Sequence, residues 1–290
     1  MFHLMLLPAV ILTAIFAYVP MVGVIIAFQD YNVAAGFFGR QKWCGLDNFK
    51  FLFEMPDFWN VVYNTVYMAV LKMIASPIVA ITVAILLNEI KSTKYKKFIQ
   101  TAIYLPYFLS WVVLAGIFRD MLSPSDGIVN RIITNMGFES IYFLGDKTWF
   151  PIVMVITDVW KGFGYGSVIY LAAITNIPTE LYESATVDGA SRWQKIWHIT
   201  LPGIKMMIAL MLLLSLGGIL GANFDQIFNM YSPQVYATGD VLDTMIYRLG
   251  LENMQFDIAT AAGLMKSLVS TVLISTGYYL AYKFADYKIF

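Results

Sequence analysis

Apolar residues in this chain do not alternate with polar ones in short runs but gather into six long blocks. The blocks run roughly from Leu4 to Phe28, Val61 to Leu87, Phe98 to Phe118, Phe150 to Ile174, Ile204 to Ala222 and Ile258 to Tyr282. Each is near the length of about 20 residues that a helix needs to cross a bilayer. The pattern therefore predicts an all-α membrane protein with six transmembrane helices. Residues 1–60 are the first helix and an outer loop, 61–284 the main membrane domain, and 285–290 a short tail. The first block is too long for a signal peptide and lacks the basic front end and small-residue cleavage site of one, so it counts as a span. Its lead of Met1-Phe2-His3 is very short, which is consistent with a longer natural N-terminus.

The polar segments between the blocks set the orientation. Glu89 to Lys97 carries four lysines and one acid, and short basic loops stay on the cytoplasmic side. Both termini are then expected to be cytoplasmic, with the segments 29–60, 119–149 and 223–257 outside. Trp43, Trp59 and Trp149 fall near span ends, where interfacial aromatics anchor helices.

Composition agrees with the pattern. Hydrophobic residues are 59% and charged residues 13% of the 290, against about 45–50% and 25% in ordinary globular chains. The formal charge is zero, with 19 basic and 19 acidic side chains, which excludes a nucleic-acid binder on bulk charge. That zero is a cancellation across the membrane: inner segments, Lys205 included, hold nine bases and five acids, and outer ones seven and thirteen. The single Cys44 permits no internal disulfide, and with His3 and His198 far apart no metal spacing or nucleophile triad can be assembled.

One segment does not fit a simple bundle. Residues 176–202, between the fourth and fifth spans, are far longer than the two to eight residues that usually join helices. Thr179 with Glu180 reads as a helix start, and Gly189 suits the left-handed position that ends a helix. Ser191 and Gln194 make a capping box for a second helix, which Pro202 and Gly203 interrupt. An amphipathic helix resting on the membrane surface is one reading of this stretch.

Another follows from its residues. Glu183-Ser184-Ala185, then Gly189, then Ile199-Thr200-Leu201-Pro202 resemble the EAA motif of binding-protein-dependent ABC importer permeases, with Ser184 where the motif usually has Ala. Ile177-Pro178 and Asp188-Gly189-Ala190 are similar to the family as well. The opening segment, from Leu6-Leu7-Pro8 through Tyr18-Val19-Pro20-Met21 to Gln29-Asp30-Tyr31, resembles the permeases for complex or acidic oligosaccharides, of the polysaccharide and alginate type.

The resemblance implies a type I ABC importer fold with a cytoplasmic coupling-helix loop, in a multi-pass protein of a prokaryotic cell membrane. It implies a second permease subunit, identical or related, two ATPase subunits, an extracellular solute-binding protein and a sugar substrate. In this family the loop helix docks on the ATPase. Glu183 would pair with a basic residue there, Ser184 and Ala185 would allow close contact, and Asp188-Gly189 would turn the chain back. The sequence has no GxxxxGK[ST] loop, so ATP and Mg would be bound and hydrolysed by the partner, and this chain would be neither catalyst nor cofactor carrier.

Charges inside spans are costly and usually face a bundle interior or a wet cavity. Here they are Lys72, Asp158, Lys161 and Lys266. Asp158 and Lys161, three apart, are spaced for an intrahelical ion pair. Asp158 and Lys266 also fall at similar depths, and a pair between them would leave Lys161 free. Lys161 lies about 16 Å below Phe150 by helical rise, close to the midplane. By the resemblance, sugar is held on the spans flanking the loop, at Asp158, Trp160, Lys161, Gly162 and Tyr165, then at Ser215, Gly218 and Ala222. Packing is the competing role for Trp160 and Tyr165. A midplane lysine suits a carboxylated sugar, although the acidic outer segments would repel a polyanion in the open. Gly162, Gly164 and Gly166 read as thin points where another helix or a substrate comes near. A secondary transporter, the main alternative class, should carry an inverted repeat and paired broken helices, and the two halves of this sequence do not match. An ABC permease for another class of solute is the other alternative.

Overall fold

The structure, a computed structural model, describes residues 2–37, 39–216, 218, 220–221 and 224–285. Fifteen helices are described: α1 Phe2–Thr13, α2 Asp47–Glu54, α3 Phe58–Asn88, α4 Thr93–Tyr104, α5 Trp111–Met121, α6 Ile128–Asn135, α7 Trp149–Thr175, α8 Thr179–Val187, α9 Arg192–Lys195, α10 Leu201–Gly203, α11 Lys205–Leu216, α12 Phe224–Met230, α13 Tyr236–Gly239, α14 Leu242–Tyr247 and α15 Phe256–Ala285. A two-residue antiparallel pair, Gln29–Asp30 with Lys42–Trp43, is an addition to the all-helical expectation.

The chain folds into two compact units, Met1–Val62 with Val241–Val269, and Tyr63–Asp240 with Ser270–Phe290. In the first unit, α1 continues through a π turn at Ala14–Tyr18 and a 3-10 stretch at Val19–Phe28. Most of Met5–Phe28 is exposed, as a peripheral span requires. The core of this unit packs Leu52, Phe58 and Val61 against Leu242, Met245, Leu249, Ile258 and Ala262. Lys266 is neutralised here by a direct ion pair with Asp243. That pairing replaces the expected partnership with Asp158. The Asp257 carboxylate accepts from the Tyr31 backbone N–H at 3.4 Å, fixing the start of α15 against the strand that follows the first span.

In the second unit, Ala80, Ala84 and Leu87 of α3 pack on Tyr170, Leu171 and Ile174 of α7 and on Ile204. Gly164 lets α4 come close to α7: a Cβ there would lie 2.0 Å from the Ile103 carbonyl oxygen. The segment before α7 is tied by Asn130, buried at 2% exposure. Its amide donates to the carbonyls of Ser123 and Ile141 at 3.0 and 2.9 Å, and its oxygen accepts from the Ile141 N–H at 2.8 Å.

Four helical stretches are long and apolar enough to cross a bilayer: Met5–Phe28, Phe58–Asn88, Trp149–Thr175 and Phe256–Tyr279. Two bent pairs bring the number to six if each is one span. The block expected as one helix over Phe98 to Phe118 is bent by 100° between Thr93–Phe108 and Trp111–Met121. Pro106 lacks the N–H that a continuing helix needs. Leu109 is extended, and the Ser110 hydroxyl accepts from the Val113 N–H at 3.4 Å to start a new helix. The second pair, Arg192–Gly203 and Lys205–Leu216, is bent by 58° just after Pro202. Among the described residues, α11 ends at Leu216, short of the expected Ala222, and the chain turns through Gly218 and Gly221.

Candidate translocation cavity and coupling loop

The bend after Phe108 and the turn after Leu216 border a cavity of about 420 Å³ in the second unit, within the range of small-molecule sites. Asp158, Lys161 and Gly162 of α7 line it, with Ser215 at the end of α11 and Gly218 beyond it. Five of the residues expected at the pathway are therefore brought together. Tyr165 does not line the cavity; its ring stacks on that of Tyr107 at 4.2 Å and 8°. Trp160 packs edge-on against Phe118 at 5.6 Å, the packing role anticipated as its alternative. Ala222 lies outside the described residues.

The lining also includes Lys72, Ser76, Tyr107 and Trp111, which the sequence reading did not assign to the pathway. Lys72 was recognised as an intramembrane charge but had no visible partner. Tyr107 and Trp111 flank the Pro106 and Ser110 punctuation, which was the available signal for a break with aromatics on both sides.

Lys161 does not make the intrahelical pair with Asp158 that its spacing allowed. Its ammonium donates to the Tyr107 backbone carbonyl at 3.1 Å and lies 5.4 Å from the ring centroids of both Tyr107 and Trp111. Asp158 instead stands 4.0 Å from Lys72, which is almost fully buried. Lys72 donates to the Gln226 side-chain oxygen at 2.6 Å. The Gln226 amide donates in turn to the Met154 carbonyl at 2.7 Å and the Thr157 hydroxyl at 2.8 Å. Gln226 has no exposed surface. Buried polar groups are tolerable only when satisfied in this way, and the network fixes α12 to α3 and α7 beside the cavity.

The three alternating glycines separate by role. Gly162 and Gly166 line the cavity, and Gly164 is the close approach to α4.

Local chemistry builds the loop between α7 and α11. Pro178, rather than Thr179, occupies the N-cap position of α8, and Thr179 is its first residue. The helix ends as the sequence suggests: Gly189 has φ +77°, the Ala190 N–H donates to the Ala185 carbonyl at 2.8 Å, and the Gly189 N–H to Thr186 at 3.1 Å. These two bonds are a Schellman motif. Ser191 and Gln194 form the expected capping box. Two further bonds clamp the hairpin, Lys195 to the Thr186 hydroxyl at 2.7 Å and the Tyr182 hydroxyl with that of Thr200 at 2.9 Å. The result is a stapled helix pair on which Glu183, Ser184, Asp188 and Gly189 are exposed and Ala185 is half-buried. Val187 and Trp193, 88% and 71% exposed, leave apolar surface on the same hairpin.

The comparisons with known proteins agree over nearly the whole length. Protein LplB of Bacillus subtilis (strain 168) is 37% identical, with 99% of this chain and 90% of that protein covered. The polygalacturonan/rhamnogalacturonan transport system permease protein YteP of the same organism is 38% identical, covering 99% and 89%. Among solved structures, a bacterial ABC transporter involved in the import of the acidic polysaccharide alginate matches with a TM-score of 0.89 at 40% identity, covering 98% of this chain and 95% of the other. The same kind of transporter, in complex with an alginate pentasaccharide-bound periplasmic protein, matches with a TM-score of 0.88. The model of the family described as binding-protein-dependent transport system inner membrane component matches residues 76–284, which hold the stapled hairpin and most of the cavity lining, and the chain belongs to that family.

Proposed function

We propose that this chain is one permease subunit of an ATP-driven importer. With a second, related permease it forms the path for an oligosaccharide that an extracellular binding protein delivers. Each bent helix pair then counts as one span, giving six, with both termini in the cytoplasm. The hairpin of α8 and α9 is the coupling element: Glu183 meets a basic residue of an ATPase subunit, and Ser184 and Ala185 allow the close approach. Two ATPase subunits bind ATP with Mg and hydrolyse it, and their closure drives the exchange between inward-facing and outward-facing states.

The observation that carries this reading is the joint presence, in one compact unit, of an aromatic-lined cavity and a stapled, exposed hairpin. Aromatic faces suit the C–H surfaces of sugar rings, and polar side chains suit their hydroxyls. Two lysines against one aspartate in the lining favour a carboxylated sugar. The acidic outer segments oppose such a substrate in solution, which gives the binding protein a shielding task during delivery.

Purification from native membranes tests the proposal. The chain is expected to copurify with a second permease and an ATPase, and Glu183→Ala is expected to abolish ATP hydrolysis stimulated by the loaded binding protein while leaving the subunits assembled. A chain that transports solute as a monomer, without an ATPase, would overturn the reading.

A further inference from the structure

Two of the aromatic side chains that line the cavity, Tyr107 and Trp111, already have a ring face covered. Tyr165 stacks on Tyr107 at 4.2 Å, too close for a cation to fit between the rings, so the Lys161 ammonium covers the face that Tyr165 leaves open. The same ammonium covers the Trp111 ring, 5.4 Å from its centroid, and its one hydrogen bond goes to a backbone carbonyl. The other lining cation, Lys72, is held by Gln226 at 2.6 Å and faces Asp158 at 4.0 Å. Among the described residues, the lining cation held by no side-chain oxygen is Lys161, on a flexible stem.

We infer that Lys161 is an internal placeholder and the specificity-determining residue of the cavity: it covers the faces of Tyr107 and Trp111 on which a sugar would stack, and a substrate enters by drawing it off. The inference rests on the oligosaccharide reading and goes beyond simple charge attraction. Lys161 is partly exposed, and a cation over an aromatic face is attracted by the ring even where water reaches it. A neutral sugar that displaces it gives the ammonium hydroxyl contacts only. A uronate carboxylate gives it a charge-assisted hydrogen bond, which is about twice as strong as a neutral one, and frees Tyr107 and Trp111 for ring stacking in the same step. Lys161 therefore rejects neutral oligosaccharides as well as accepting acidic ones. Tyr165 is a positioning residue that holds the Tyr107 ring in place.

Equilibrium binding to the assembled permease–ATPase complex tests this, with tetragalacturonate and maltotetraose as acidic and neutral probes of equal length. The wild-type complex is expected to prefer the acidic probe by on the order of tenfold. Lys161→Met should weaken that probe by about tenfold and strengthen the neutral one by at least about threefold, because the ring faces become free. Lys161→Arg, which keeps both charge and ring contact, should keep the preference. A gain for the neutral probe is what separates the placeholder from a lysine that only attracts. If Lys161→Met weakens the acidic probe and leaves maltotetraose unchanged or weaker, the placeholder is wrong while the oligosaccharide reading stands. If the wild-type complex binds neither probe, the oligosaccharide reading itself falls, and this inference with it.

Discussion

The network beside the cavity offers a quantitative test of what holds α12 in place. Gln226 makes one hydrogen bond to a charged group and two to neutral ones. Hydrogen bonds to charged groups contribute about 1.5–3 kcal/mol and neutral ones about 1 kcal/mol each. Gln226→Leu therefore removes about 3.5–5 kcal/mol, close to the cost of breaking a buried charged pair. Asp158, 4.0 Å from the Lys72 ammonium, compensates part of the stranded charge, which places the expectation near the lower end, about 3.5 kcal/mol. Lys72→Met leaves the Gln226 oxygen without its donor and should be destabilising too. The double variant Lys72→Met/Gln226→Leu strands neither group, and its apolar side chains fill a similar volume. It should be less destabilised than the sum of the two single variants by about 1–3 kcal/mol. The loss of a counter-ion at Asp158 occurs with and without the second substitution, so it cancels in the cycle. Thermal unfolding of the four purified proteins in one detergent reads the result: the shift of the double variant should fall well short of the summed single shifts. Additive shifts would refute an energetic link between Lys72 and Gln226, whatever their separation.

Two further predictions concern glycines. Gly164→Ala places a Cβ 2.0 Å from the Ile103 carbonyl oxygen, whereas Gly162→Ala meets nothing within 4 Å. The first should lower the unfolding temperature and the folded yield, at a cost of about 1–3 kcal/mol for overpacking, and the second should leave both near wild type. At Gly189, with φ +77°, a Cβ costs about 1–2 kcal/mol in the left-handed region. Gly189→Ala should fold but show reduced ATP hydrolysis in response to the loaded binding protein, and Gly189→Asn should be milder because Asn tolerates that conformation better.

Legibility followed sequence separation. The hairpin from Thr179 to Gly203 was readable because its determinants are local: a Schellman glycine and a capping box each act within six residues. Even the one misplacement, Thr179 for Pro178 at the N-cap, is a shift of a single residue. The long spans were readable because apolar length is a property of a segment on its own. The pairing of charges was not readable, since spacing on a helix indicated where Asp158, Lys161 and Lys266 could reach but not which partner would arrive. Lys72 is satisfied by Gln226, 154 positions away, and nothing local to either residue announces the other. Gln226 itself looks like one more polar residue in a segment between spans until the fold buries it completely.

The departures from straight spans have a physical connection with the cavity. Irregular backbone at membrane depth is tolerated where it is buried in protein or lines a cavity, and the cavity is bordered by the bend at Leu109 and Ser110 and by the turn after Leu216. In a continuous helix the Tyr107 carbonyl would accept from the Trp111 N–H, four residues on. Pro106 and the Ser110 cap end that ladder, and the freed carbonyl accepts from Lys161 at 3.1 Å. The same break sets the rings of Tyr107 and Trp111 on either side of the bend, both within 5.4 Å of the Lys161 ammonium. A straight third span would supply neither that acceptor nor that pair of rings. The interruption by Pro106 and Ser110 is thus what allows a lysine within a long apolar helix to be held without a carboxylate, ready for one that a substrate brings.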